Sequence, residues 1–303
     1  MLSVTFLNKQ FSNPIVLASG ILGVTAASLN NVLKNGCGGV TVKSASLLPR
    51  TGHPNPTMMG AEHYFINAVG LSNPGVEKAV EELKKFKQLT NKPLIGSIFA
   101  GTPDEFGEVA AKLCAAPIDF LEVDISCPNV SKEFGRPFAY DKGAVEAITK
   151  KVKANSTVPI TVKLSPNAWD IDEIAVVAEA SGADAVTAVN TISGMAINIS
   201  ARRPVLSNKQ GGVSGPALFP IALKCVYDIY KKVKIPIIGT GGITTGEDAL
   251  AMIMAGATLL GVGSAVYFRG QDAFAKIVKE MEEIMRAEGI KSLEEIRGCA
   301  HSV

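Results

Sequence analysis

Asp124, Ser126, Cys127, Pro128 and Asn129 crowd the end of the apolar run FLEVDIS, which starts at Phe120. Such a run reads as a buried strand, and Pro128 stops it from continuing. Cysteine is among the most buried residue types, and a buried one is commonly a small apolar plug. A thiol at the mouth of a strand has a second use. Its ordinary pKa of about 8.5 leaves it mostly protonated at neutral pH, so it must be partly ionised to take a proton or to attack an electrophile. Cys127 is therefore a candidate base or nucleophile.

Two lysines stand in comparable places. Lys43 lies near the end of GGVTVKS and Lys163 near the end of PITVKLS, positions where a lysine is rarely chosen for packing. Either alone could be a solvated or snorkelling side chain. Together they suit an anionic, conjugated cofactor, because ammonium groups stabilise charge that develops on a ring during electron transfer. The glycine clusters GTGG (Gly239 to Gly242) and GVGS (Gly261 to Ser264) are consistent with tight strand-to-helix turns. Bare backbone at such turns also admits a phosphate, since no Cβ keeps the anion away.

The segment INAVGLSNPG, from Ile66 to Gly75, adds Asn67 and Asn73. Asn73 before Pro74 is expected to form a turn, whereas Asn67 among apolar neighbours suits a ligand or a backbone hydrogen bond. His53 and His63 lack matched carboxylates or cysteines, so no metal site is expected. Met58, Met59 and Met195 read as core or lid packing.

These residues need a frame that brings them to one place. Eight short apolar runs alternate with segments of helical period: PIVLASG, GGVTVKS, LIGSIFA, FLEVDIS, PITVKLS, AVTAVNT, PIIGTGG and LLGVGSA. Strands alternating with helices predict a parallel sheet, and eight of them close a (β/α)8 TIM barrel. The strand ends then bring Ser19, Gly20, Lys43, Ser44, Asp124, Cys127, Asn129, Lys163, Asn190, Thr191, Gly241, Gly242, Gly263 and Ser264 to one rim. In this fold that rim carries the active site, and its last two strands commonly bind phosphate. Asp170 with Glu173, and Thr244 with Glu247, are expected to cap helices, and Gly256 to stop the second of these. The connections from Ala45 to Pro74 and from Ile192 to Pro216 are long enough to suggest functional loops on the same rim.

Composition agrees with one domain spanning residues 1–303. The chain is 47% hydrophobic and 19% charged, with 30 Lys plus Arg against 28 Asp plus Glu, which gives no reason to expect nucleic acid or a membrane surface as partner. The runs Glu81 to Lys87 and Lys279 to Glu283 read as solvated helix faces. Neither a signal peptide nor a stretch of roughly 18 apolar residues is visible, so a cytoplasmic location is expected. Five cysteines, widely spaced and without a C-x-x-C pair, are expected as free thiols.

Taken in order, KSASLLPRTGHPNP, INAVGLSNPG, EVDISCPNV, TVKLSPN, AVNTISG, RRPVLSNKQGGVSGPA, IIGTGGITTGEDA and GATLLGVGSA resemble the class 1 dihydroorotate dehydrogenases over nearly the whole chain. The segment RPVL…GGVSGP is most similar to the B-type catalytic subunit. The resemblance implies a barrel with a short N-terminal β-hairpin and long rim loops, holding FMN with its phosphate at Gly241, Gly242, Gly263 and Ser264. Ser19, Gly20, Lys43, Ser44, Asp124, Lys163, Val189 and Gly215 fall at further flavin positions. Lys43, Asn67, Ala68, Val69, Gly70, Leu71, Asp124, Asn129, Asn190 and Thr191 would surround the pyrimidine, with Cys127 as the base that removes the C5 proton of dihydroorotate while hydride leaves C6. The resemblance further implies an electron-transfer subunit carrying FAD and an iron-sulfur centre, and a homodimer core or heterotetramer.

Three positions depart from the family pattern. Asp124 replaces the usual asparagine, Thr57 a common arginine, and Ser97 or Ile98 a common asparagine. The first two bear on an anionic substrate and keep a related dihydropyrimidine such as dihydrouracil as an alternative; a flavin-binding barrel without catalysis is a separate alternative of a different class.

Overall fold

The computed structural model describes residues 1–126 and 138–302. Strands β1 (Val4–Phe6) and β2 (Lys9–Phe11) form an antiparallel hairpin. The eight expected runs supply β3 (Ile15–Leu17), β4 (Gly39–Thr41), β7 (Leu94–Ile98), β8 (Phe120–Asp124), β9 (Ile160–Lys163), β10 (Ala185–Ala188), β15 (Ile237–Thr240) and β16 (Leu259–Val262). They pair in parallel in that order and close, β16 against β3, into a barrel.

The barrel interior changes character along its axis. At the N-terminal end the hairpin residues Val4, Phe6 and Phe11 pack against Val16, Ile95, Phe120, Ala185, Ile238 and Leu259. Phe6 meets Phe120 edge-on with ring centroids 5.4 Å apart. This apolar plug closes one mouth, leaving polar groups to collect at the other. On β8, Phe120, Glu122 and Asp124 share the inward face, while Leu121 and Val123 join the core beneath the helices. Parallel register sets Ser97 beside Glu122, and Asp124 beside Lys163.

The two long connections are not bare loops. Strands β5 (Met58–Gly60) and β6 (Phe65–Asn67) from the first, with β11 (Ile192–Gly194) and β14 (Gly211–Ser214) from the second, build a four-stranded antiparallel sheet over the rim. Between them β12 (Ile197–Asn198) and β13 (Arg203–Pro204) pair separately. Ile66, Ala68 and Leu206 form the buried centre of this small sheet, with Met59, Tyr64 and Val213 packed on it.

Two capping expectations need correction. The Asp170 side chain makes no cap hydrogen bond; it lies 3.3 Å from Lys142, while Glu173 is drawn to Lys232 at 3.2 Å. The other capping box falls one residue later than expected, with Thr245 and Asp248 bonded reciprocally before helix Gly246–Met254. Gly256 follows that helix in a positive-φ conformation, as a stop signal requires. Cys37, Cys114, Cys225 and Cys299 are free thiols. Burial pushes the Cys225 thiol up to about 11, which makes it inert at neutral pH. Among the described residues no helix is long and apolar enough to cross a membrane.

Candidate active site

A cavity of about 240 Å³ opens at the C-terminal mouth of the barrel. The ends of the strands and the loops that follow them put Ser19, Gly20, Lys43, Ser44, Asp124, Lys163, Val189, Asn190, Thr191, Gly241, Gly242, Gly263 and Ser264 on its wall. The first rim segment adds Asn67, Val69, Gly70 and Leu71. Two residues singled out from the sequence stand apart. Ala68 is fully buried in the centre of the rim sheet, because side chains alternate along the strand and Asn67 takes the cavity side. Gly215 does not line the cavity; at φ 87° it turns the chain past Phe65 and Phe268. Cys127 and Asn129 lie outside the described residues.

Met58, expected as core or lid packing, comes to the cavity wall from the rim sheet. Sequence reasoning passed over other wall residues: Phe65 and Ser214 from the same sheet, Leu218 from the 3-10 turn Pro216–Leu218, and Ile243 from the connection after β15. Their signal was tertiary, since nothing at Phe65 or Ser214 announces the cavity beside it. Asn73, expected as a turn, is one, its side-chain oxygen accepting from Ser46 N-H at 3.1 Å and Gly75 N-H at 2.9 Å.

The polar floor is a connected network. Lys163 Nζ donates to Ser19 Oγ at 2.7 Å, and Ser19 Oγ donates to Glu122 Oε1 at 2.7 Å. Ser97 Oγ donates to the same oxygen at 3.1 Å and lies 2.9 Å from Ser44 Oγ. Lys163 and Glu122 are 3.5 Å apart, with side chains only 6% and 4% exposed. A buried charge without a partner would be prohibitive, so this pairing is what permits both to stay inside. Glu122 was not singled out from the sequence. On the wall, Asp124 Oδ1 accepts from the Ser126 amide at 3.1 Å and its hydroxyl at 2.8 Å, and Asn190 Nδ2 donates to Ser126 Oγ at 2.9 Å.

The cavity fits a phosphate-bearing aromatic cofactor. Gly241 and Gly242 adopt φ of 130° and 73°, and a Cβ on them would stand 2.7 Å from Ala222 Cβ and 2.5 Å from Phe219 N, so this turn is open to glycine alone. At Gly20 and Gly263 the space is open instead: both line the cavity, and a Cβ would meet no atom closer than 3.6 Å, although Gly20 at φ 96° still favours glycine. Bare backbone at both places leaves room for a ligand, with the two lysines supplying positive charge.

A (β/α)8 barrel whose C-terminal mouth gathers two lysines and glycine turns of the last two strands has the build of an α/β-barrel enzyme that holds a phosphate-bearing cofactor. The profile of the family described as dihydroorotate dehydrogenase matches residues 1–285, and the chain belongs to that family. It is 45% identical over 303 residues to the "Dihydroorotate dehydrogenase B (NAD(+)), catalytic subunit" of Methanosarcina mazei, covering 100% of this chain and 96% of that protein. A protein of the same description from Methanocaldococcus jannaschii is 42% identical over 304 residues, covering 99% and 98%. Among solved structures, a crystal structure of DHODH in complex with ferulenol from Eimeria tenella superposes with a TM-score of 0.85 at 25% identity, over 99% of this chain and 88% of that one.

Proposed function

We propose that this chain oxidises dihydroorotate to orotate with FMN in its barrel mouth, as the catalytic subunit of a B-type enzyme. The observation that carries the reading is the convergence of Lys43, Lys163 and the glycine turns of the last two strands on one cavity. FMN, when bound, supplies the acceptor for the hydride that leaves C6 of the substrate. Gly241, Gly242, Gly263 and Ser264 would hold its phosphate, and Ser19, Gly20, Ser44 and Val189 its ring system. Lys43 and Lys163 favour negative charge developing in the mouth. Asn67, Asn190 and Thr191 orient the pyrimidine through amide and hydroxyl groups that both donate and accept. Cys127 takes the C5 proton, one residue beyond the buried Ser126.

The naming of the relatives as catalytic subunits of an NAD(+) enzyme supports a partner that carries electrons onward to NAD; FAD and an iron-sulfur centre in that partner are part of the proposal. No ferredoxin-like cysteine spacing occurs in this chain, so such a centre belongs to another subunit. A homodimeric core and a cytoplasmic location complete the reading.

Anaerobic mixing tests it. Dihydroorotate is expected to bleach the flavin absorbance of the purified protein, and Cys127→Ser to slow that step by at least about a hundredfold at neutral pH with FMN still bound. Bleaching by dihydrouracil but not dihydroorotate would transfer the assignment to another dihydropyrimidine, which the acceptor-only Asp124 favours. A colourless protein that takes up no FMN would end both redox readings.

A further inference from the structure

The donors on the cavity floor all point one way. A carboxylate only accepts, so Ser19 and Ser97 both direct their hydroxyl protons at Glu122 Oε1. Each hydroxyl has a single proton. With Ser97 committed to Glu122, the 2.9 Å contact between Ser44 and Ser97 requires Ser44 to be the donor. With Ser19 committed in the same way, it can only accept from Lys163. Ser19, Ser44 and Lys163 line the cavity, while Glu122 and Ser97 lie beneath it.

We propose that Glu122 is a positioning residue that sets the donor and acceptor polarity of the cavity floor, so that Ser19 and Ser44 present lone pairs to the ligand and Lys163 presents N-H. Among the described residues the charges around it are few. Strands β3, β4, β7, β10, β15 and β16 carry no charged residue, which leaves Asp124 at the end of the same strand, Lys163 on the neighbouring strand and Lys43 just beyond β4. Two carboxylates face two ammonium groups, so removing one charge alters the balance of the whole mouth. A carboxylate kept only to neutralise Lys163 would have no need of two serine donors, nor would it govern a third serine through one of them.

The test uses Glu122→Gln, which keeps the shape but can donate as well as accept, and so frees the serine protons to turn outward. Losing a buried anion and gaining outward donors both favour negative charge in the cavity. With FMN bound, as the proposed function requires, the reduced-to-oxidised flavin ratio at a fixed potential is expected to rise about tenfold, a positive shift of about 30 mV for a two-electron couple. An FMN-loaded variant with the parent's potential overturns the proposal, whatever its melting temperature. Should the variant or the parent hold no FMN, the apoprotein decides. Lys163→Met strands Glu122, and adding Glu122→Gln to it is expected to raise the melting temperature above that of Lys163→Met alone. No recovery in the double variant overturns the proposal as well, while failure of the parent to bind FMN counts only against the proposed function.

Discussion

At Asp124 one carboxylate oxygen is already engaged by the chain itself. Oδ1 accepts from the Ser126 amide and hydroxyl, and Asn190 Nδ2 approaches it at 3.4 Å. The Asp124 carboxylate itself can only accept, and a substrate bearing its own carboxylate meets a like charge there. Asp124→Asn keeps the accepting oxygen and its partners while exchanging the other oxygen for an amide donor. Orotate is therefore expected to bind the variant about tenfold more tightly, on the order of 1.4 kcal/mol, with FMN retained. Titrating the oxidised flavin absorbance with orotate measures this. Weaker binding would instead mean that Asp124 accepts a hydrogen bond from the pyrimidine ring, in which case the aspartate is matched to its substrate.

Among the elements, one carboxylate at the end of the barrel opposite the cavity ties the hairpin, a helix and a strand together. Asp119 accepts from Lys9 of the hairpin at 2.6 Å, from Lys87 of helix Val76–Leu89 at 2.7 Å and from the Leu94 amide at the start of β7 at 2.8 Å. Burial alone would push its carboxyl up, but the bonds from Lys87, Lys9 and Leu94 outweigh that and hold it below the ordinary range. A lowered folded pKa contributes stability that is present above the unfolded value of about 3.9 and lost as pH falls through the folded one. Asp119→Asn is expected to cost about 2 kcal/mol at neutral pH. Its melting temperature should begin to converge on the parent's as pH falls below about 4 and meet it only once the pH has passed below the lowered folded value; a gap that persists beyond that would mean that packing, not charge, is what was lost. The barrel strands were legible because each is a short apolar run closed by a polar or glycine residue. The rim sheet was not, since β5, β6, β11 and β14 each have three or four residues and the pairing of β14 with β6 that unites them joins segments far apart in the chain. Glu122 escaped for a related reason. FLEVDIS reads as a buried strand whose last residues reach the rim, and Glu122, two residues back on the inward face that Asp124 shares, acquires its meaning only from Lys163 and Ser97 on the adjacent strands.

For the whole molecule, closure of the barrel ties the two ends of the chain together. The register of β16 with β3 pairs Leu260 with Ile15, and one apolar core runs from Leu2 to Ile296. The rim sheet joins the first long connection to the second, and the Asp119 cluster joins hairpin to barrel, so no part can leave without exposing the rest. We propose on this ground that residues 1–303 form a single domain. Calorimetry is expected to show one unfolding transition, and a second, separate transition would divide the chain. Cavity and core are also coupled, because the wall residues are the ends of the strands whose other ends make the core. A ligand held only by the native mouth must then shift the entire transition. Free FMN at about a hundred times its dissociation constant adds about 2.7 kcal/mol, which for a chain of this length raises the midpoint by about 4 °C. A midpoint indifferent to FMN would show that the folded barrel does not hold it, whatever its likeness to enzymes that do.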